Sequence, residues 1–472
     1  MIRSSVLASF CGAGELASVF ASVNRTTMSF FDLFIGSAIS GCFIPSLASR
    51  SRKRESFVSA FFITVVIAST TVALFGSVFS NQLAEIISPG LSSEMKTVTA
   101  ELLRIFLPSV VAAGGAYVLT ALCQTGKHRL LPAAISVMSN VFIIICLLVI
   151  GKIDSTEKLK LLSAVFVFSW IIQLFFCAIP FFPHLKISFK PDFKSIGAVL
   201  KKFPSSLAAS WLLPFSISVT LLFSSASATN GSALFDYASV IFSAVIGILV
   251  SAIGGYAFPV LADSYHSKTD FIRKSKHCIK TAFAVSLPIS ILLSLLSKEI
   301  VSVLYLRGSF EASDATAVSE ILSILSMSIP FCIINETLRR IFEAAGKNKY
   351  AALSAIVGIV STLTAQILAY YSDAGLAGIA SALTVGQLFA SAFGLVTASV
   401  WLPETETLPH IENILLGSAV SAVASGLIYN LISPYLNKNI PETILCITAI
   451  SLSAFASYLP FIKNKRKERI RE

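Results

Sequence analysis

Charged side chains are scarce in this chain, and the few inside apolar stretches define its candidate chemistry. Glu15 lies mid-way in an apolar run over 4–24, Asp32 sits a few residues into the next run, 29–49, and Arg25 falls between the two. An ionised side chain at the centre of a membrane helix costs about 2.5–3.5 kcal/mol on insertion scales, so such groups face a cavity or a partner. Arg25 and Asp32 are spaced to pair across a tight turn between the runs. That pair reads either as charged lining at the mouth of a cavity or as an ion pair that fixes the hairpin. A second cluster, Glu336, Arg339, Arg340 and Glu343, has the spacing of two i,i+4 pairs on one helix and reads as a solvated helix end. Asn140, Gln173, Asn335, Gln366 and Gln387 read as interhelical hydrogen-bonding groups rather than ligands.

Enzyme chemistry finds little support. Gly126-Lys127 and Gly346-Lys347 are followed by His128 and Asn348, where a phosphate-binding loop needs Ser or Thr, and Ala121 and Ile341 stand where its first Gly belongs. There is no H-E-x-x-H and no G-x-S-x-G. The histidines at 128, 184, 266, 277 and 410 are too scattered for a metal site, and the 8 cysteines contain no C-x-x-C pair. The cysteines read as small apolar packing residues. No cofactor is expected. The first apolar run leads directly into a second, without the long basic stretch of a cleavable signal peptide.

The elements that must hold these residues are membrane spans. Hydrophobic residues make up 55% of the chain and charged residues 13%, against about a quarter charged in a soluble domain. Fourteen stretches have roughly the 20-residue length a bilayer needs: 4–24, 29–49, 56–79, 101–123, 131–151, 159–182, 204–226, 233–260, 277–297, 316–341, 350–371, 375–400, 411–432 and 442–462. With the N-terminus inside, 27 of the 36 Lys and Arg fall in alternate, cytoplasmic segments and 9 in the others. That bias follows the positive-inside rule and places both termini in the cytoplasm. The net charge of +11 is thus a topology signal, not a nucleic-acid-binding face. The tail from Lys463 to Arg471 reads as a stop anchor that also touches anionic membrane lipid.

The halves of the chain echo each other. Gly126-Lys127 matches Gly346-Lys347, Glu101-Leu102-Leu103 matches Glu320-Ile321-Leu322, and Pro45 to Ala48 matches Pro259 to Ala262. The offset spans an even number of helices, so the repeat is parallel, and such bundles hold substrate between their halves. The expected fold is an all-α polytopic membrane protein of fourteen transmembrane helices: two six-helix lobes, 1–190 and 191–400, then two extra helices and a basic tail over 401–472.

Short motifs carry a resemblance. Gly12-Ala13-Gly14, Phe43 to Ala48, Ser88-Pro89-Gly90, Leu103-Arg104-Ile105 with Pro108, Pro132-Ala133 with Asn140, and Gly308-Ser309-Phe310 with Asp314 together resemble the MurJ/MviN lipid II flippases. These belong to the multidrug/oligosaccharidyl-lipid/polysaccharide exporter superfamily. The resemblance implies a flippase, not an enzyme, of the bacterial cytoplasmic membrane. It would move the lipid-linked peptidoglycan precursor lipid II from the inner to the outer leaflet by alternating access. The alternatives are an exporter of another lipid-linked oligosaccharide or amphiphile, or a homologue that no longer transports. The pyrophosphate of lipid II is anionic, so cationic groups suit its cavity. Several positions where the family carries charge depart from it: Ser4, Ser18, Phe31 and Gly36, with Val240 and Ser243 further on. Arg3, Arg25 and Asp32 remain as the expected substrate-binding residues, with no expectation of oligomeric state.

Overall fold

The computed structural model describes residues 1–36, 39, 43, 54–125, 130–184, 197, 208–264, 267–401, 411–432 and 440–463. Among these residues the chain is all helix and turn, with no strand. The loop 126–129, the Pro45 to Ala48 motif, the segment 402–410 and the tail beyond Lys463 lie outside the described residues, as does the expected lobe boundary near 190. The chain divides into two compact units. One comprises Ile2–Asp236 with Arg307–Phe310, and the other Tyr237–Leu306 and Glu311–Glu472 with Met1.

The first unit contains α1 (Ile2–Cys11), α2 (Glu15–Phe31), α3 (Arg54–Val78), α4 (Ser80–Ile87), α5 (Ser93–Phe106), α6 (Pro108–Thr125), α7 (Leu131–Ile150), α8 (Thr156–Ala178) and α9 (Leu212–Ser227). It also holds the start of α10 (Gly231–Ser264). A short π-helical stretch, Asp32–Gly36, continues α2. Starts and stops follow local chemistry. Ser92 and Ser155 accept the backbone N–H groups of Met95 and Lys158 at the starts of α5 and α8. Pro132 opens α7, where its missing N–H costs nothing, and Gly151 ends it at φ 72°. Packing is aromatic in part: Phe20 lies 5.7 Å from Phe106 and 5.0 Å from Phe166, edge to face.

The second unit contains the rest of α10, then α11 (Lys268–Leu295), α12 (Ser297–Tyr305), α13 (Ala312–Ser326), α14 (Ile329–Ala344), α15 (Asn348–Tyr371), α16 (Gly375–Trp401), α17 (Ile411–Ile432) and α18 (Ile440–Lys463). Helices α15 and α16 meet through small residues. A Cβ on Gly386 would lie 1.8 Å from Thr362 Oγ1, and Ser354 donates to the Ala390 carbonyl at 2.8 Å. Asn335 donates to the Gln387 side chain at 3.0 Å, the interhelical bond expected of both residues. Asn140 instead turns back to the Ser136 carbonyl of its own helix.

Nine described helices are long and apolar enough to cross a membrane, ten if α13 and α14, bent by 42°, count as one span. Shorter apolar helices add to these, so fourteen spans are consistent with the elements present. This is a multi-pass membrane protein.

The first two expected spans are corrected. The chain turns at Gly12-Ala13-Gly14, not around Arg25, which lies inside the unbroken helix α2. Hydropathy averaging misses a turn made of small residues. It also mistakes the polar run Asn24 to Thr27 for a gap, although Thr27 satisfies its hydroxyl on the Val23 carbonyl one turn back. Glu15 is accordingly not mid-span. It sits exposed in the first turn of α2, where the helix dipole favours a carboxylate.

The turn explains two of the resembling motifs at once. Gly12 has φ 64° and Gly308 has φ 63°, and the two segments lie against each other. A Cβ on Gly308 would approach the Ser9 carbonyl oxygen to 2.3 Å, and one on Gly12 the Ser309 oxygen to 2.7 Å. The Ser309 N–H donates to that same Ser9 carbonyl at 2.9 Å. Gly90 of a third motif faces the Ser225 carbonyl, which a Cβ would meet at 2.0 Å.

Candidate functional site

The N-terminal start of α10 reaches α2 because small residues line the contact. Ser18, Ser22 and Arg25 repeat at helical spacing on α2, and Ser232 and Asp236 lie one turn apart on α10. Ser18 is fully buried; its carbonyl accepts the Ser232 hydroxyl at 3.2 Å and its hydroxyl accepts the Ala233 N–H at 3.4 Å. Two turns further along α2, Arg25 meets Asp236. Its Nε and Nη2 both donate to Asp236 Oδ1, at 3.0 and 2.7 Å. The two side chains are 22% and 17% exposed, enough shielding for the pair to exceed an ordinary surface salt bridge in strength.

Arg25 therefore pairs with Asp236 and not, as its spacing suggests, with Asp32. Asp32 lies two turns along the same helix as Arg25, exposed at the start of the π-helical stretch. Tyr117 and Trp170 stand beside Phe31, with Tyr117 4.3 Å from Phe31 and 5.9 Å from Trp170. The Trp211 indole N–H donates to the Leu33 carbonyl at 2.6 Å, satisfying a carbonyl within the π-helical stretch.

Arg3 lies half-buried on α1. Its guanidinium sits 5.3 Å over the ring of Phe166. Of the three residues expected to bind substrate, Arg25 pairs with Asp236, Arg3 lies over the ring of Phe166, and Asp32 follows two turns along from Arg25. The two acids balance the two arginines. Sequence reasoning passed over Asp236, although an acidic residue a few positions into an apolar helix is itself a signal.

The second cluster is less solvated than expected. Arg339 bonds Glu336 at 2.6 and 2.8 Å and also pairs with Glu343, and Arg340 bonds Glu336 at 2.9 Å. These side chains are 20–31% exposed, and Glu336 and Arg340 line a small pocket with Val250 and Gly254 of α10. All four charges are satisfied locally, as a structural network would be. Among the described residues no group of three or more His, Cys, Asp or Glu is placed to hold a metal ion, and no cysteine there forms a disulfide.

This all-helical membrane fold has counterparts among solved structures. The fold matches a lipid II flippase MurJ in an inward closed conformation with TM-score 0.79, at 19% identity over 99% of this chain and 96% of that one. It also matches an inward-facing multidrug resistance MATE family transporter of the MOP superfamily, with TM-score 0.71 at 16% identity over 85% of this chain and 93% of that one. The family model of the lipid II flippase MurJ matches residues 7–449, so the chain belongs to that family, one of flippases and not of enzymes. A probable lipid II flippase MurJ of Aquifex aeolicus (strain VF5) is 24% identical over 91% of this chain and 85% of its own length.

Proposed function

We propose that this chain moves lipid II from the inner to the outer leaflet of the bacterial cytoplasmic membrane. The family match over residues 7–449 carries the reading. Arg3 and Arg25 supply the cationic contacts for the pyrophosphate. Asp32 is an acceptor for polar groups of the head. Both termini lie in the cytoplasm in this reading, as the distribution of Lys and Arg favours. The lobes 1–190 and 191–400 act as the two halves of the transporter, with 401–472 appended. No cofactor is needed, because the substrate moves without a bond being broken.

A second reading rests on the charge balance. The candidate residues are two arginines and two aspartates, of which Arg25 and Asp236 form an ion pair. Such a site also suits another lipid-linked amphiphile of lower charge. Growth rescue separates the two. The chain is expressed in a bacterium depleted of its own lipid II flippase, with membrane level checked by blot. Rescue is the expected result. Failure at a normal level, in several hosts, would favour the other amphiphile.

A further inference from the structure

The Arg25–Asp236 pair raises a question that the transport reading leaves open: how a site whose charges already cancel takes an anion. Arg25 spends its Nε and Nη2 on a single carboxylate oxygen, at 3.0 and 2.7 Å, and the second cation, Arg3, lies on α1 over the ring of Phe166. Asp236 thus occupies the Arg25 guanidinium as a bound anion would. It is tethered through the turn of α10 that docks on Ser18, so it is held there without any loss of translational freedom.

We propose that Asp236 is the site's internal counter-ion and its selectivity residue: it holds Arg25 until a diphosphate displaces it, and so excludes singly charged lipid anions. The proposal rests on Arg25 being a substrate contact. A lipid carboxylate or a protonated monophosphate carries one charge, no more than Asp236, and gains nothing by exchange. A diphosphate carries more charge and more acceptor oxygens, enough to engage Arg25 and Arg3 together. The release of Asp236 is therefore favourable only for the doubly bridged ligand. This is selectivity by a built-in competitor, a repulsive element as well as an attractive one.

The test uses the purified full chain in lipid nanodiscs at about pH 5, where a phosphate monoester carries about one charge, with undecaprenyl diphosphate and undecaprenyl monophosphate as the probes, by native mass spectrometry. Wild type, Asp236→Asn and Asp236→Glu are compared, each with its thermal unfolding. The wild type is expected to prefer the diphosphate. Asp236→Asn should tighten monophosphate binding by about tenfold or more, the size of a shielded charge pair, and so collapse the preference. Asp236→Glu, which keeps the charge, should retain it. An unchanged diphosphate-to-monophosphate ratio in a folded Asp236→Asn protein would overturn the proposal and leave the transport reading standing. Binding of neither probe by folded wild type would overturn both. Should Asp236→Asn not fold, loss of preference in Asp236→Glu would count against the proposal, because a merely different geometry would then suffice.

Discussion

Replacing Gly308 by alanine should destabilise the protein well beyond the cost of its backbone conformation. At φ 63° an L-residue pays roughly 1–2 kcal/mol. The new Cβ would also lie 2.3 Å from the Ser9 carbonyl oxygen, which is backbone and cannot rotate away. Forced overpacking of this kind costs about 1–3 kcal/mol. Shifting the segment to relieve it strains the Ser309 N–H bond to the same carbonyl, worth about 0.5–1.5 kcal/mol. The expected total is about 2–5 kcal/mol, the lower value applying if the turn relaxes. Gly151 supplies the control. Its φ is 72°, but no described atom lies within 4 Å of its Cβ position, so Gly151→Ala should cost only the roughly 1–2 kcal/mol of conformation. Both variants and wild type are unfolded thermally in one detergent, side by side. Equal losses for the two variants would refute the close contact between residues 9–12 and 307–310.

Three further outcomes are expected. Alanine at Asn335, at Gln387 and at both should give a double-mutant coupling of about 0.6–1.7 kcal/mol, and zero coupling would mean that their 3.0 Å bond contributes nothing. Tyr429→Phe should cost about 1–3 kcal/mol in the same unfolding assay, and an unchanged midpoint would count against the bond it removes. The Tyr429 hydroxyl donates at 2.7 Å to Glu299, which is 1% exposed and whose other carboxylate oxygen has no partner among the described residues. A cysteine at Ser155 should label with an impermeant thiol reagent from outside intact cells, and one at Asn348 only after lysis, in a background without native cysteines. The reverse pattern would invert the topology.

Much of this fold was legible because membrane helices advertise themselves. Apolar runs of bilayer length match most of the helix boundaries, and the bias of Lys and Arg predicts an orientation. What escaped was local. Gly12-Ala13-Gly14 turns the chain without a polar residue, so no hydropathy window registers it. Arg25 reads as loop because its neutralising partner is 211 positions away. Asp32 is the nearest acid in the apolar run that follows and therefore the obvious partner. Asp236 wins in space because Ser18 and Ser232 let α10 approach α2 closely. The cation–π contact of Arg3 with Phe166 joins α1 to α8, and no periodicity announces such a contact. The resembling motifs read as family marks, yet Gly12, Gly90 and Gly308 have a plain steric reason: each faces a carbonyl oxygen at a distance only glycine allows.

The most direct measurement is the leaflet distribution of lipid II. Cells whose own flippase is replaced by this chain are treated from outside with a hydrolase that cleaves lipid II and cannot cross the membrane. With the wild-type chain, lipid II should be cleaved at a steady rate. With Arg25→Ala, at the same membrane level, cleavage should fall at least about tenfold, as loss of a shielded charge contact requires. Protected lipid II with a well-expressed wild-type chain would contradict the assigned transport, and full cleavage with Arg25→Ala would contradict the assigned site.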